Sequence, residues 1–279
     1  MLSTFKTIVV GVDFSNYSKI VVRQAAQLAE KFETKLIFVH SIKNISLMTG
    51  EVPLDLENDF IRPLSKEVIS FYKLKKIAPN STVIVSVGRA SDTIITAAKE
   101  AEAPLIVVGH KGATATALGH FFLGSTAEQL ALHSPFPVWI HRGNTAKVPN
   151  KVLLPCDFSD RTTKSVQTVK GLNDFNGAQY EFLHIAQEPS PIVGGQRWKK
   201  AVKAFRKNET VYRKKFQALY PDIPLKCVSG DPAQLIVKES KKFDLVAMAP
   251  NNREGLFSTF GSVTAKVVRS GEIPVLISH

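Results

Sequence analysis

The residues best placed to do chemistry in this chain are glycines and hydroxyls gathered in one stretch, GHKGATATALGHFFLGST, from Gly109 to Thr126. It holds four glycines and no acidic residue, and it follows the apolar run LIVV. Glycine permits positive φ and close approach of backbone N–H groups to a ligand, so such a stretch can wrap an anion. It lacks the G-x-x-x-x-G-K-[ST] pattern, so phosphates would not be held here as in a P-loop. Gly124, Ser125 and Thr126 lead into a helical segment, STAEQLAL, whose N-terminus offers unpaired N–H groups and partial positive charge to a phosphate. A ligand-free reading is equally concrete: Ser125 and Glu128 have the S-x-x-E spacing of a capping box. Lys111, between two loop glycines, either neutralises a phosphate or is simply solvated.

The carboxylates add a second candidate. Asp13 lies in VDFS and Asp157 in CDFS, each just past an apolar run. Either aspartate could accept a hydrogen bond from a ligand, or Asp and Ser could cap backbone N–H groups at a strand-to-helix turn. The seven histidines show no H-E-x-x-H spacing, and His40 and His184 read as hydrogen-bonding or packing groups rather than metal ligands. Cys156 and Cys227 are the only cysteines and form no C-x-x-C, which points to reduced, structural thiols. There is no G-x-S-x-G elbow and no metal-ligand cluster, so the expectation is a protein that binds rather than catalyses.

What positions these residues is a repeated architecture. KTIVVGVDFSNYSK at 6–19 recurs as NKVLLPCDFSDRTTK at 150–164, which sets Asp13 opposite Asp157 and Ser15 opposite Ser159. LIFVHSI recurs as YEFLHIA with His40 opposite His184, and further on LIVVGH pairs with LVAMAP, LGSTAEQL with FGSVTAKV and FPVWIH with IPVLIS. Each copy reads as five strands alternating with four helices. Val/Ile-rich runs without alternation, such as TIVV and LIVV, suit strands buried on both faces of a parallel sheet, and the helices supply the crossovers. In the first helix Ser15 can act as cap, with Ile20, Gln24, Leu28 and Phe32 at helical spacing. Such a sheet takes ligands beyond the carboxyl ends of its strands, where Asp13, Ser41 and Gly109 fall. GNTAKVPN, 143–150, has linker composition, so the domains are read as 1–143 and 150–279.

Charge is uneven: residues 1–147 hold 16 basic and 12 acidic residues, while 148–279 hold 20 and 12. Much of the excess lies in RWKKAVKAFRKNETVYRKK, 197–215. There Trp198, Val202, Phe205, Tyr212, Phe216 and Leu219 recur at helical spacing. They read as a buried stripe, with the charges as its solvated face rather than a nucleic-acid surface. No run reaches the roughly 18 apolar residues needed to span a bilayer and the first ten residues do not read as a signal peptide, so a cytoplasmic location is expected.

These motifs together resemble the universal stress protein family in its tandem, two-domain form. The carrying residues are VDFS and CDFS, the V-H and L-H endings of the second strand, and the glycine loop closed by G-S-T. The family loop reads G-x2-G-x9-G-[ST]; Gly109 and Gly112 fit its start and Gly124-Ser125 its end, with eleven rather than nine residues between. The resemblance implies two similar doubly wound, open, parallel five-stranded α/β sheets of adenine nucleotide alpha hydrolase-like type, joined as an intramolecular pseudo-dimer through PVWIH and PVLIS. It also implies binding of ATP or another adenine nucleotide, with Mg2+, at Gly11, Val12, Asp13, Ser41, Val108, Gly109, Gly112, Gly124, Ser125 and Thr126. In the second copy Ala249-Pro250-Asn251-Asn252 replaces the opening glycines. Cys156, Asp157, Gly261 and Ser262 therefore form a second, degenerate set. The function implied is a stress-response regulator with protein partners, the alternatives being a scaffold without nucleotide and a basic nucleic-acid-associated protein.

Overall fold

A computed structural model describes residues 6–42, 55–103, 105–111, 123–172, 177–187, 195–250 and 262–279. The first half runs β1 (Thr7–Val12), α1 (Asn16–Phe32), β2 (Lys35–Ile42), a π-helical turn (Glu57–Ile61) leading into α2 (Arg62–Phe71), α3 (Leu74–Ile77) and β3 (Thr82–Val87). It continues with α4 (Ala90–Glu100), β4 (Leu105–Gly109), α5 (Ser125–His133) and β5 (Val138–His141). The second half runs β6 (Lys151–Cys156), α6 (Asp160–Gly171), β7 (Gln179–Ala186), α7 (Gln196–Leu219) and β8 (Leu225–Ser229). It ends with α8 (Pro232–Ser240), β9 (Leu245–Met248), α9 (Ser262–Ser270) and β10 (Val275–Ile277).

The strands form one ten-stranded sheet in the order β3-β2-β1-β4-β5-β10-β9-β6-β7-β8. Every pairing within a half is parallel, and β5 meets β10 antiparallel with Leu276 opposite Trp139. The two five-stranded sheets thus join at their edges as an intramolecular pseudo-dimer, which covers the unpaired backbone groups both edges would expose. The internal register repeats too: Ile8 stands opposite Leu105 in the first half, and Val152 opposite Leu245 in the second.

The central strands are buried on both faces, as their unbroken apolar runs require. Ile8 and Val10 join one core layer with Phe38 and Trp139, while Val9 joins the other with Ile106, Ile140 and Val138. Ser15 caps α1, its hydroxyl accepting from the Ser18 N–H at 3.0 Å. Gln24, on the face of α1 that carries Leu28 and Phe32, is buried but not apolar in role. Its amide exchanges hydrogen bonds with the backbone of Lys147 at 2.9 and 3.0 Å. The connecting segment is pinned at its other end by Asp244, which accepts from the N–H groups of Asn150 and Lys151 at 2.9 and 3.0 Å.

Two local expectations are corrected. Gly124 occupies the N-cap of α5 and Ser125 is its first residue, so no capping box forms, and Glu128 instead pairs with Arg269 of α9. The stripe on α7 is only partly buried: Val202 and Phe216 are covered, but Tyr212 is 57% and Leu219 69% exposed. Tyr212 and Leu219 lie about 40° and 60° around the helix from Phe216, on the side away from Val202, so they fall off the contact line and face water. No helix among the described residues is long and apolar enough to cross a membrane.

Candidate functional site

In the strand order β2-β1-β4-β5, α1 lies between β1 and β2 in the chain and packs in one core layer, whereas α5 lies between β4 and β5 and packs in the other. The carboxyl ends of β1 and β4 therefore part around a crevice, the place where open α/β sheets take ligands. A cleft of about 230 Å³ lies there, lined among others by Gly11, Val12, Asp13, His40, Ser41, Val108, Gly109, Lys111, Gly124, Ser125 and Thr126. The fold thus gathers nine of the ten residues expected from the sequence. The tenth, Gly112, lies outside the described residues.

The wall at β1 is set by an unusual turn. Phe14 and its counterpart Phe158 both have φ of 60°, a left-handed conformation that non-glycine residues adopt at a cost of about 1–3 kcal/mol. Packing offsets that cost. Phe14 meets His40 edge-on at 4.8 Å and Phe71 at 5.3 Å, while Phe158 stacks on His184 at 4.1 Å. The histidines are locked in turn, His40 donating Nδ1–H to the Val12 carbonyl at 2.9 Å and His184 to that of Cys156 at 2.8 Å. Both therefore hold the strand end, in keeping with a hydrogen-bonding role. Across the turn, the Phe14 N–H donates to the Tyr72 hydroxyl at 2.7 Å. The sequence reading missed Tyr72, because it is the C-cap of α2, 58 residues away.

The β4 side rests on a buried polar cluster that the sequence also concealed. The carbonyl of His141 accepts from the Tyr17 hydroxyl at 3.0 Å and the His110 N–H at 3.1 Å, and lies 3.2 Å from His110 Nδ1. The His110 carbonyl then accepts from the Gly124 N–H at 2.7 Å, which ties the start of α5 to the end of β4. Burial, with the Arg142 charge nearby, holds His110 down at about 3, and burial holds His141 at about 4, so both imidazoles are neutral at pH 7. Burial pushes the Tyr17 hydroxyl well above its ordinary value. Arg142 reaches across the junction of the halves and donates to the carbonyls of Gly271 and Arg269 at 2.8 and 2.9 Å.

Gly109 is needed for space rather than for positive φ. A Cβ there would meet Tyr17 ring carbons and Val21 Cγ2 at 3.2 Å. In the second half the repeat places Arg161 and Ser165 where Tyr17 and Val21 stand, and Ala249 takes the glycine's position. The loss of that glycine is thus matched by a smaller neighbour at Ser165 and does not by itself close the second cleft. A second cleft indeed exists, about 240 Å³, lined by Cys156, Asp157, Arg161, Thr162, His184 and Ala249 among others. Gly261 lies outside the described residues, and Ser262 begins α9.

Each cleft has an aspartate at its strand end. Asp13 accepts from the Ser15 N–H at 3.1 Å, as an Asx turn does. Asp157 takes the Ser159 N–H at 3.1 Å, the Ser159 hydroxyl, Arg161 Nη2 at 2.8 Å and the Thr162 hydroxyl at 3.1 Å. Three of these donors converge on Oδ1, and Arg161 meets Oδ2. Burial opposes ionisation of Asp157, but the bonds from Ser159 and Arg161 outweigh it and hold the carboxyl below its ordinary range. At the first cleft, Gly124 has no side chain with which to cap α5, and Gly124, Ser125 and Thr126 at that helix start line the cleft. Glu128, the acidic residue of that turn, is drawn away by Arg269. Lys111 sits with Nζ 5.1 Å from the Tyr17 ring and adds positive charge to the rim.

A duplicated open α/β sheet, with one crevice per half at the switch in strand order, defines the class. The Universal stress protein family matches residues 4–142 and again 149–279, and the chain belongs to that family. A universal stress protein of Thermus aquaticus, from the 3′ region of QAH/OAS sulfhydrylase, is 28% identical over 144 residues, 50% of this chain and 99% of its own. A universal stress protein structure from Archaeoglobus fulgidus superposes with a TM-score of 0.71 at 18% identity, covering 98% of this chain and 97% of its own. A universal stress protein in complex with cAMP is 27% identical over 49% of this chain and 95% of its own, with a TM-score of 0.35.

Proposed function

We propose that this chain is a cytoplasmic stress-response regulator whose first half binds ATP or a related adenine nucleotide, and that its second half has turned to structural use. Residues 1–143 and 150–279 are read as the two units. The observation carrying this reading is the first crevice itself: the start of α5, whose N-cap Gly124 has no side chain, lines the cleft together with Lys111. In the second crevice, the Asp157 carboxylate is already engaged by protein donors, among them Arg161. A helix start suits phosphate, and Lys111 would add to it, while Asp13 and the backbone at Val12 and Ser41 would meet the nucleoside. Binding would act as a signal rather than as a step of catalysis.

Calorimetric titration of the purified chain with Mg2+·ATP tests the reading. One saturable site is expected, lost in Gly124→Glu, which puts a carboxylate at the helix start. Absence of saturable heat in the unmodified protein overturns it and leaves the scaffold reading. Two equal sites would overturn the assigned asymmetry.

A further inference from the structure

Helix α7 plays no part in the crevice contacts proposed for the nucleotide, yet it carries the charge of its half. Residues 196–219 hold nine basic residues and one acidic, and the rest of 148–279 carries equal numbers of each. The single acid, Glu209, faces inward and pairs with His184 at 2.5 Å. At 3.6 residues per turn, Lys199, Lys203, Arg206, Lys207, Arg213 and Lys214 fall within roughly 140° of the circumference, along about 22 Å of helix. All six are exposed. Among the described residues, the five other than Arg206 form no ion pair with a carboxylate. The corresponding part of the first half is mixed, with Glu57, Asp59 and Glu67 among its bases and Glu57 paired with Arg62 at 3.6 Å. The repeat therefore does not require such a ridge.

We infer that this ridge is a docking surface for the phosphodiester backbone of nucleic acid, without base recognition. A row of cations with no interleaved carboxylate complements an equally unbroken row of anions, whereas folded protein surfaces intersperse their signs. A membrane fits less well. An interfacial helix inserts an apolar face, but here Val202 and Phe216 are buried against the sheet. The exposed Tyr212 and Leu219 lie roughly half a turn away from the centre of the cationic arc. The aromatics offer no stacking row along the ridge, so readout is electrostatic and indifferent to sequence.

The test measures anisotropy of fluorescein-labelled 30-base-pair duplexes of two unrelated sequences, with full-length chain, from 50 to 200 mM salt. Three proteins are compared: unmodified, Lys203→Gln/Lys207→Gln/Lys214→Gln, and a charge-matched control, Lys35→Gln/Lys75→Gln/Lys99→Gln. Both duplexes should bind equally. The ridge variant should lose about tenfold or more in affinity at 50 mM salt, and its log K against log salt slope should fall by about 2–3, since each lost phosphate contact removes roughly 0.9. The control should keep the unmodified affinity to within about threefold. Circular dichroism and urea midpoint, expected unchanged for exposed lysines, confirm that the variants are folded. No binding at 50 mM salt overturns the inference, as does an equal loss in the control, which would make net charge the cause. Retention by phosphatidylserine vesicles or poly-glutamate without retention of duplex also overturns it and reassigns the ridge.

Discussion

Replacing His141 by leucine should make the protein less sensitive to acid without weakening it at neutral pH. His141 is 0% exposed, and neither of its ring nitrogens has a hydrogen-bond partner. Its carbonyl, which holds Tyr17 and His110, is backbone and survives the change. Burial depresses the imidazole to about 4, below the ordinary value of about 6.5 that it regains on unfolding. Between those values the unfolded chain takes up a proton that the folded chain refuses, so stability falls as pH drops through that window. Integrated from pH 7 to pH 5, this one residue costs about 2 kcal/mol. His110, at about 3, and His279, at about 4, act in the same direction and remain in the variant, so the readout is a difference between proteins. Urea unfolding at pH 7 and pH 5 should show the variant losing about 2 kcal/mol less than the parent. At pH 7 the variant should be equally stable, or more stable by about 1 kcal/mol, because two unpaired buried polar atoms are gone. An identical acid loss in both proteins would refute the reasoning. So would a variant weakened by more than about 2 kcal/mol at pH 7, which would mean that the imidazole has a partner after all.

Other outcomes follow from the same contacts. Gly109→Val should cost about 1–3 kcal/mol in urea unfolding, because its Cβ already meets Tyr17 and Val21 at 3.2 Å, while Ala249→Gly in the second half should shift the midpoint little. Arg142→Ala removes charged donors from two carbonyls of the other half and should destabilise by about 2 kcal/mol, the lost bonds outweighing relief of the buried charge; unchanged stability would show that these terms cancel. Thiol labelling of the native chain should modify Cys227 quickly and Cys156 only on unfolding, since Cys156 is 5% exposed and burial pushes its thiol up to about 12.

Much of the architecture was legible because each element announces itself locally. LIVV is apolar at every position and TIVV at all but its first, and such unbroken runs suit strands covered on both faces, so a parallel sheet followed. The doubled DFS and strand-ending histidine exposed the repeat, and PVWIH and PVLIS identified the edges that join. Capping at Ser15 was readable, since it depends on residues three apart. The S-x-x-E spacing at Ser125 misled for the converse reason: Glu128 had a stronger partner 141 residues away in Arg269. The stripe on α7 misled because periodicity shows which residues share a helix face, not how much of that face a neighbour covers around the helix.

The first crevice and its asymmetry with the second divide the same way. By itself the sequence determined the class of fold, its duplication, the candidate residues at Asp13, Ser41, Gly109 and Gly124, and the degenerate loop of the second copy, because these are matters of residue type and short spacing. Only the tertiary structure decided that Gly109 is demanded by Tyr17 and Val21 rather than by its own φ, that Asp157 is engaged by Arg161 and Thr162, and that Gly124 is the N-cap of a helix lining the cleft. Those depend on which side chains meet across strands and helices, and chain spacing carries no record of a distance closed by folding.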